Sequence, residues 1–159
     1  MNKTIRYTDR ELPQYAHLPG ETPHPKKSGG HSENLKDPIS HSINLSNWNT
    51  HSDYLFGVDL YNLGYFWEAH VWWEAVWKAN QKGPERDFIQ GLIKMAAGAL
   101  KERMGQSELA TDHCVRGHEL MSRMFVEHDL SHIFGVSRIW WNNSLNNIPT
   151  YLELDFDIK

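Results

Sequence analysis

From residue 52 onward the apolar positions recur every three or four residues, and glycine-bearing breaks divide them into four helical stretches. Ser52 or Asp53 is placed to cap the first, which runs to Leu63 and stops or kinks at Gly64. The second spans Tyr65 to Gln81 and is stopped by Gly83-Pro84. Pro84 suits the first turn of the third, with Glu85 and Asp87 near its positive end. The stripe of that helix is Phe88, Leu92, Met95, Ala96, Ala99 and Leu100, and Gly105 ends it. The fourth runs from Ser107 to about Glu127 with Ala110, Cys114, Gly117, Met121 and Phe125 as its stripe. Asp112–Arg116 and Glu119–Arg123 are spaced as i,i+4 ion pairs on its polar face. Beyond His128, residues Ile133, Phe134, Val136, Ile139, Trp140 and Trp141 predict a short helix or two around Gly135. The closing YLELDFDIK alternates apolar and acidic residues, the period of an extended segment with one face down. The expected fold is all-α: a compact bundle of about four main helices, a short C-terminal helix and an extended tail.

The first fifty residues do not share that period. Pro13, Pro19, Pro23, Pro25 and Pro38, with Gly20, Gly29 and Gly30, forbid a long helix there. Leu12, Tyr15 and Leu18 beside the prolines predict an arm laid on the bundle. The expected organisation is therefore an arm over residues 1–50, a bundle over 51–147 and an acidic tail over 148–159.

Composition narrows the function classes. A net charge of −4 with no long basic run is not the footprint of a nucleic-acid binder. One cysteine, Cys114, excludes an intramolecular disulfide and a Cys-based zinc site. No apolar stretch reaches the roughly 20 residues of a membrane span. The opening MNKTIRYTDRELPQY has no apolar run of the kind a secretory signal needs, so a cytoplasmic protein with no membrane or nucleic-acid partner is the expectation. The 7 Trp and 10 His are the unusual feature.

Four of the tryptophans and His70 fall on the second helix, YFWEAHVWWEAVWKANQ. At about 100° per residue, Trp77, Phe66, Trp73 and Trp67 fall within roughly 60° of His70, and Glu74 lies about 40° away. This places His70 and Glu74 on the most aromatic face, the one expected to be buried. Trp72, Glu68 and Ala79 fall on the opposite side, where the arm or a partner would cover them. A carboxylate among buried rings needs a partner. Either Glu74 meets a tryptophan N–H or helix end and His70 a carbonyl, or the pair builds an acid/base or metal site. On the third helix Gln90, Lys94, Ala97 and Lys101 form one polar row, read as a solvated lysine face or, under the arm, as a cationic wall for an anionic ligand.

The run GVDLYNLGYFWEAHVWWEAVWKA followed by FIQGLIKMAAGALK resembles the domain-of-unknown-function family numbered three hundred and nine, small helical proteins. The likeness continues through His113 and Arg116 in DHCVRGHEL. The arm fragment LPQYAHLPGETPHP and its later Gly30-His31-Ser32 are similar to the N-terminal extension of one branch. The family pattern has Glu directly after the histidine, where this chain has Val71. The resemblance implies a compact helical bundle around an apolar central helix and no assigned activity. Its matching positions are His70, Glu74, Trp77, Gln90, Gly91, Lys101 and His113.

Two functional readings stay open. In one, a pocket binds a small ligand or a metal and has hydrolytic chemistry. His70 and Glu74 are then its catalytic candidates, and Trp73, Trp77, Gln90, Lys101 and His113 line it. Its metal set would be His70, Glu74 and His113, with His24 or His31 closing over from the arm, a donor set suited to zinc, iron or nickel. In the other, the chain is a non-enzymatic module that docks a protein partner through exposed Trp72, Trp140 and Trp141.

Overall fold

In the computed structural model, which describes residues 4–157, four long helices follow one another by short links. They are α1 (Ser52–Asn62), α2 (Phe66–Ala79), α3 (Pro84–Arg103) and α4 (Ser107–His128). Each packs on the next, α1 on α2, α2 on α3 and α3 on α4. Links of a few residues impose this up-and-down order. A two-residue hairpin follows, β1 (His132–Ile133) with β2 (Val136–Ser137), and then α5 (Arg138–Asn143). The all-α class holds, and this hairpin is the only sheet among the described residues.

The hairpin replaces a helix expected around Gly135. Phe134 and Gly135 both take positive φ, 51° and 81°, the pair of left-handed residues that a tight two-residue hairpin turn requires. The first helix cap also differs. His51, not Ser52 or Asp53, is the N-cap: its Nδ1 accepts from Tyr54 N at 3.2 Å while Nε2 donates to His41 O at 2.8 Å. The ion pairs on α4 are Arg116–Glu119 at 3.2 Å and Arg123–Glu127 at 2.8 Å, one turn away from those the spacing suggested. Arg123 also reaches Asp87 on α3 at 3.9 Å, so the neighbouring helix pulls it off Glu119.

Helix α1 is the centre. Every residue from Tyr54 to Tyr61 is buried, as for a helix enclosed on all sides. The bundle covers one side and the arm and tail cover the other. In the tail, Leu152 and Leu154 are buried, Asn62 exchanges bonds with the backbone of Leu152 (2.6 and 2.8 Å), and Leu154 N donates to Tyr7 Oη at 2.8 Å.

Two close approaches set the helix spacing. Trp73 lies flat against Gly57, where a Cβ would stand 2.2 Å from its Nε1, and that indole N–H donates to Tyr54 O at 3.2 Å. Helices α3 and α4 cross at Gly91 and Gly117. A Cβ on Gly91 would stand 2.4 Å from Met121 Cγ and 2.7 Å from the Gly117 carbonyl.

Gly91→Ala should therefore cost about 1–3 kcal/mol in urea unfolding, because the backbone carbonyl of Gly117 cannot step aside as a flexible side chain would. Trp73→Ala should cost about 3–5 kcal/mol, being fully buried. Trp77→Ala should cost clearly less, since Trp77 is half-buried under the Arg86 guanidinium (4.1 Å) rather than in the core. Equal losses at the two tryptophans would contradict this placement.

Candidate functional site

Helix α2 has two covered faces. Phe66, Ala69, Trp73 and Val76 face the bundle, while Glu68 and Ala75 are buried on the other side by the arm. His70 and Glu74 lie on the flank between them. Their side chains are 39 % and 35 % exposed, so the expectation that they share the buried aromatic face is corrected. The aromatic arc includes residues of both the buried face and the flank, which is why its centre pointed about 60° or more away from the true core direction. His70 Nε2 and Glu74 Oε2 stand 3.2 Å apart, and Lys78 meets Glu74 Oε1 at 3.2 Å, a ladder along one helix edge.

The buried carboxylate of α2 is instead Glu68, 3 % exposed. Its Oε2 accepts from His17 N at 3.0 Å and from His31 Nε2 at 2.6 Å. His31 Nδ1 lies 2.7 Å from Ser32 Oγ. Tyr15 braces the same residue, its ring 4.7 Å from the imidazole and its hydroxyl accepting from His31 N at 3.2 Å. His17, His24 and His31 surround the Trp67 ring at 5.5, 5.6 and 6.4 Å. Glu68 was read in the sequence only as a residue of the far face. The available signal was its company, Trp72, Ala75 and Ala79, an apolar face with one acid on it and three arm histidines spaced by seven.

Further ties hold the arm. Asp59, fully buried in α1, accepts from Tyr7 N (2.7 Å), Thr8 N (3.0 Å) and Thr8 Oγ1 (2.6 Å), and Arg6 Nε approaches at 3.2 Å. Asp53 takes Arg10 Nη1 at 2.8 Å and Ser40 Oγ at 2.7 Å. Although burial alone would raise the Asp53 carboxyl, these partners hold it below its ordinary range. The Arg10 guanidinium then covers both Phe56 and Trp72, 4.2 Å from each ring.

Between arm and α2 runs a groove of about 710 Å³. One wall is Leu12, Pro13, Leu35 and Pro38 of the arm, and the other is Trp67, Val71, Trp72 and Ala75 of α2 with Phe56 beneath. His31, Ser32, His70, Glu74, Lys26, Lys36 and Lys78 bring polar groups to it. The Lys26 ammonium is bonded to the Leu35 carbonyl and reaches Asp37 at 3.5 Å.

Of the candidate ligand, metal and partner residues, His70, Glu74, His31 and Trp72 line this groove, and the others do not. Trp73 points into the core and Trp77 packs under Arg86. His24 belongs to the ring around Trp67. Gln90 and Lys101 are half-buried on α3, and His113 lies on α4 beside Gly98. The metal set His70, Glu74, His113, His24 and His31 does not converge: among the described residues no three His, Cys, Asp or Glu gather as a metal would need. The tryptophans proposed for a protein partner are also engaged. Trp141 is buried, Trp140 donates to Tyr151 O at 2.8 Å, and Trp72 lies under Arg10.

Burial depresses the His70 imidazole below its ordinary 6.5. Glu74 works against that shift, and the cations Lys94 and Lys78 add to it. His113 is lowered by burial and then by Lys94 and Lys101. The lysine row of α3 thus acts on two histidines of neighbouring helices.

Fold and groove define a small helical-bundle protein with a strapped N-terminal arm. The family model for a domain of unknown function, DUF309, matches residues 54–112, so the resemblance read from the sequence holds over α1, α2, α3 and the start of α4. No curated protein and no solved structure matches the chain. No described helix is long and apolar enough to cross a membrane.

Two outcomes test this arrangement. Glu68→Ala leaves His17 N and His31 Nε2 buried without an acceptor. It should cost about 3 kcal/mol and speed tryptic cutting at Lys26-Lys27, with unchanged cutting counting against the strap. Acid should also weaken the fold. His17, His51, His70, His113 and His118 are all held below 6.5, chiefly by burial. Each ring therefore protonates first in the unfolded chain. Stability is complete above about pH 7 and falls as pH drops through 6.5 toward the folded-state values. The urea midpoint should be lower at about pH 5.5 than at about pH 7.5, and a midpoint that rises on acidification would refute the assignment.

Proposed function

We propose that the groove between the arm and α2 binds a small, largely apolar organic molecule. The observation that carries this is the apolar pairing of its two walls, Leu12 and Leu35 against Trp67, Val71 and Trp72, in a volume suited to a small ligand. Val71 matters most. The family pattern has a glutamate here, which would put a carboxylate into the groove, and this chain has an isopropyl group instead. The half-exposed His70–Glu74–Lys78 ladder lies at the edge and offers donors and acceptors to one polar end of the ligand. Among the described residues the donors named for a metal do not gather as a set of three.

The reading is tested by titrating a solvatochromic naphthalene sulfonate and following both probe emission and quenching of Trp67 and Trp72. Saturable binding is expected, and Val71→Glu should weaken it about tenfold or more, equivalent to about 1.4 kcal/mol. Absence of saturable binding, or indifference to Val71→Glu in a variant that melts like the parent, would remove the groove as a ligand site.

A further inference from the structure

The contacts of Glu68 have a chemical direction. The carboxylate is 3 % exposed and accepts from His31 Nε2 at 2.6 Å, a contact that selects the tautomer with its proton on Nε2. That leaves Nδ1 as an acceptor, and Ser32 Oγ lies 2.7 Å from it. The hydroxyl therefore donates to a ring whose far nitrogen is fixed by a buried acid. This is a nucleophile, a base and an orienting carboxylate in sequence. The three are held by groups outside themselves. Ser32 N donates to Pro25 O at 2.9 Å, His31 N to Tyr15 Oη, and the Glu68 oxygen is shared with His17 N. Both His31 and Ser32 line the groove.

We propose that Ser32, His31 and Glu68 form a nucleophilic site that cleaves carboxylic esters with an apolar acyl chain held in the groove. This rests on the groove being a ligand site. Ser32 Oγ forms a bond to the acyl carbon as its proton passes to His31 Nδ1, and the carbonyl electron pair moves onto oxygen. Collapse of that adduct breaks the ester C–O bond, and the alcohol leaves with the proton from His31. Water, deprotonated by the same ring, then attacks the acyl–Ser32 ester. It releases the carboxylic acid and restores the hydroxyl.

The chain carries its own control. Ser131 Oγ stands 2.9 Å from Nδ1 of the adjacent His132, but His132 Nε2 faces a half-exposed Asp155 at 3.7 Å. A serine beside a histidine with no buried acid should be inert.

The test is labelling of the full chain with an alkyl fluorophosphonate, with the adduct located by peptide mass spectrometry and hydrolysis of p-nitrophenyl butyrate followed alongside. An adduct on Ser32 and none on Ser131 is expected. Ser32→Ala should abolish label and hydrolysis while still binding the naphthalene sulfonate. His31→Gln should slow labelling by about 100-fold or more, the usual worth of a positioned base. Where His31→Gln loosens the arm, as read by tryptic cutting at Lys26-Lys27, Glu68→Gln serves in its place. An unlabelled Ser32 in a wild type that binds the naphthalene sulfonate overturns the nucleophile and leaves the groove standing. Labelling that is as fast in a folded His31→Gln overturns the role of the histidine. A labelled Ser32 with no binding of the naphthalene sulfonate removes the apolar groove and keeps the nucleophile.

Discussion

Buried carboxylates on the two inner helices must find donors, and the arm supplies them. Asp59 has no exposed surface and Glu68 almost none. An unpaired carboxylate in either place would be far costlier than the few kcal/mol by which a domain of this size is stable. Helix α1 cannot answer this need itself, because its own N–H groups are used within the helix. The donors come from chain with no regular structure of its own, the backbone N–H groups of Tyr7, Thr8 and His17. A proline-rich segment suits that task, since its backbone is already restricted and loses less freedom on being pinned.

That constraint also creates the groove. The arm is tied at Asp59, at Asp53 and at Glu68, and it returns to the bundle where Ile43 N donates to Asn80 Oδ1 at 3.3 Å. Between those ties it has to span the outer side of α2 without lying flat on it. The space left under Leu35 and Pro38, and over Val71 and Ala75, is the groove. A single acid, Glu68, thus fixes the arm and orients the His31 ring against Ser32. The arm is a wall of the candidate site as well as a cover for the core.

Burial of histidines follows from the same packing. His17 and His51 are among the buried polar residues, and both are kept in the neutral form by their surroundings. For His51 that form is structural, because a protonated Nδ1 could not accept from Tyr54 N and the cap of the central helix would be lost. The chemistry of the imidazoles and the integrity of the arm are coupled through these neutral rings.

The sequence by itself determined the helices, their breaks and the inward stripes of α3 and α4, because period, proline and glycine act over a few residues and need no tertiary information. It carried the family pattern that the model matches over residues 54–112, and it singled out α2 as the helix of the candidate site. Only the tertiary structure decided which polar residues meet. His70 and Glu74 were legible as a pair because they share a helix, yet their burial was misjudged: α2 is covered by the bundle on one side and the arm on the other, and a helical wheel has no knowledge of the second cover. Glu68, His31 and Ser32 were not legible as a set. His31 and Ser32 lie on irregular chain whose course is set by where the carboxylates lie, and no periodicity encodes that course. The hairpin at Phe134-Gly135 was missed for a similar reason, since a phenylalanine at positive φ is held by packing against Tyr54 and Phe88 rather than by its own preference.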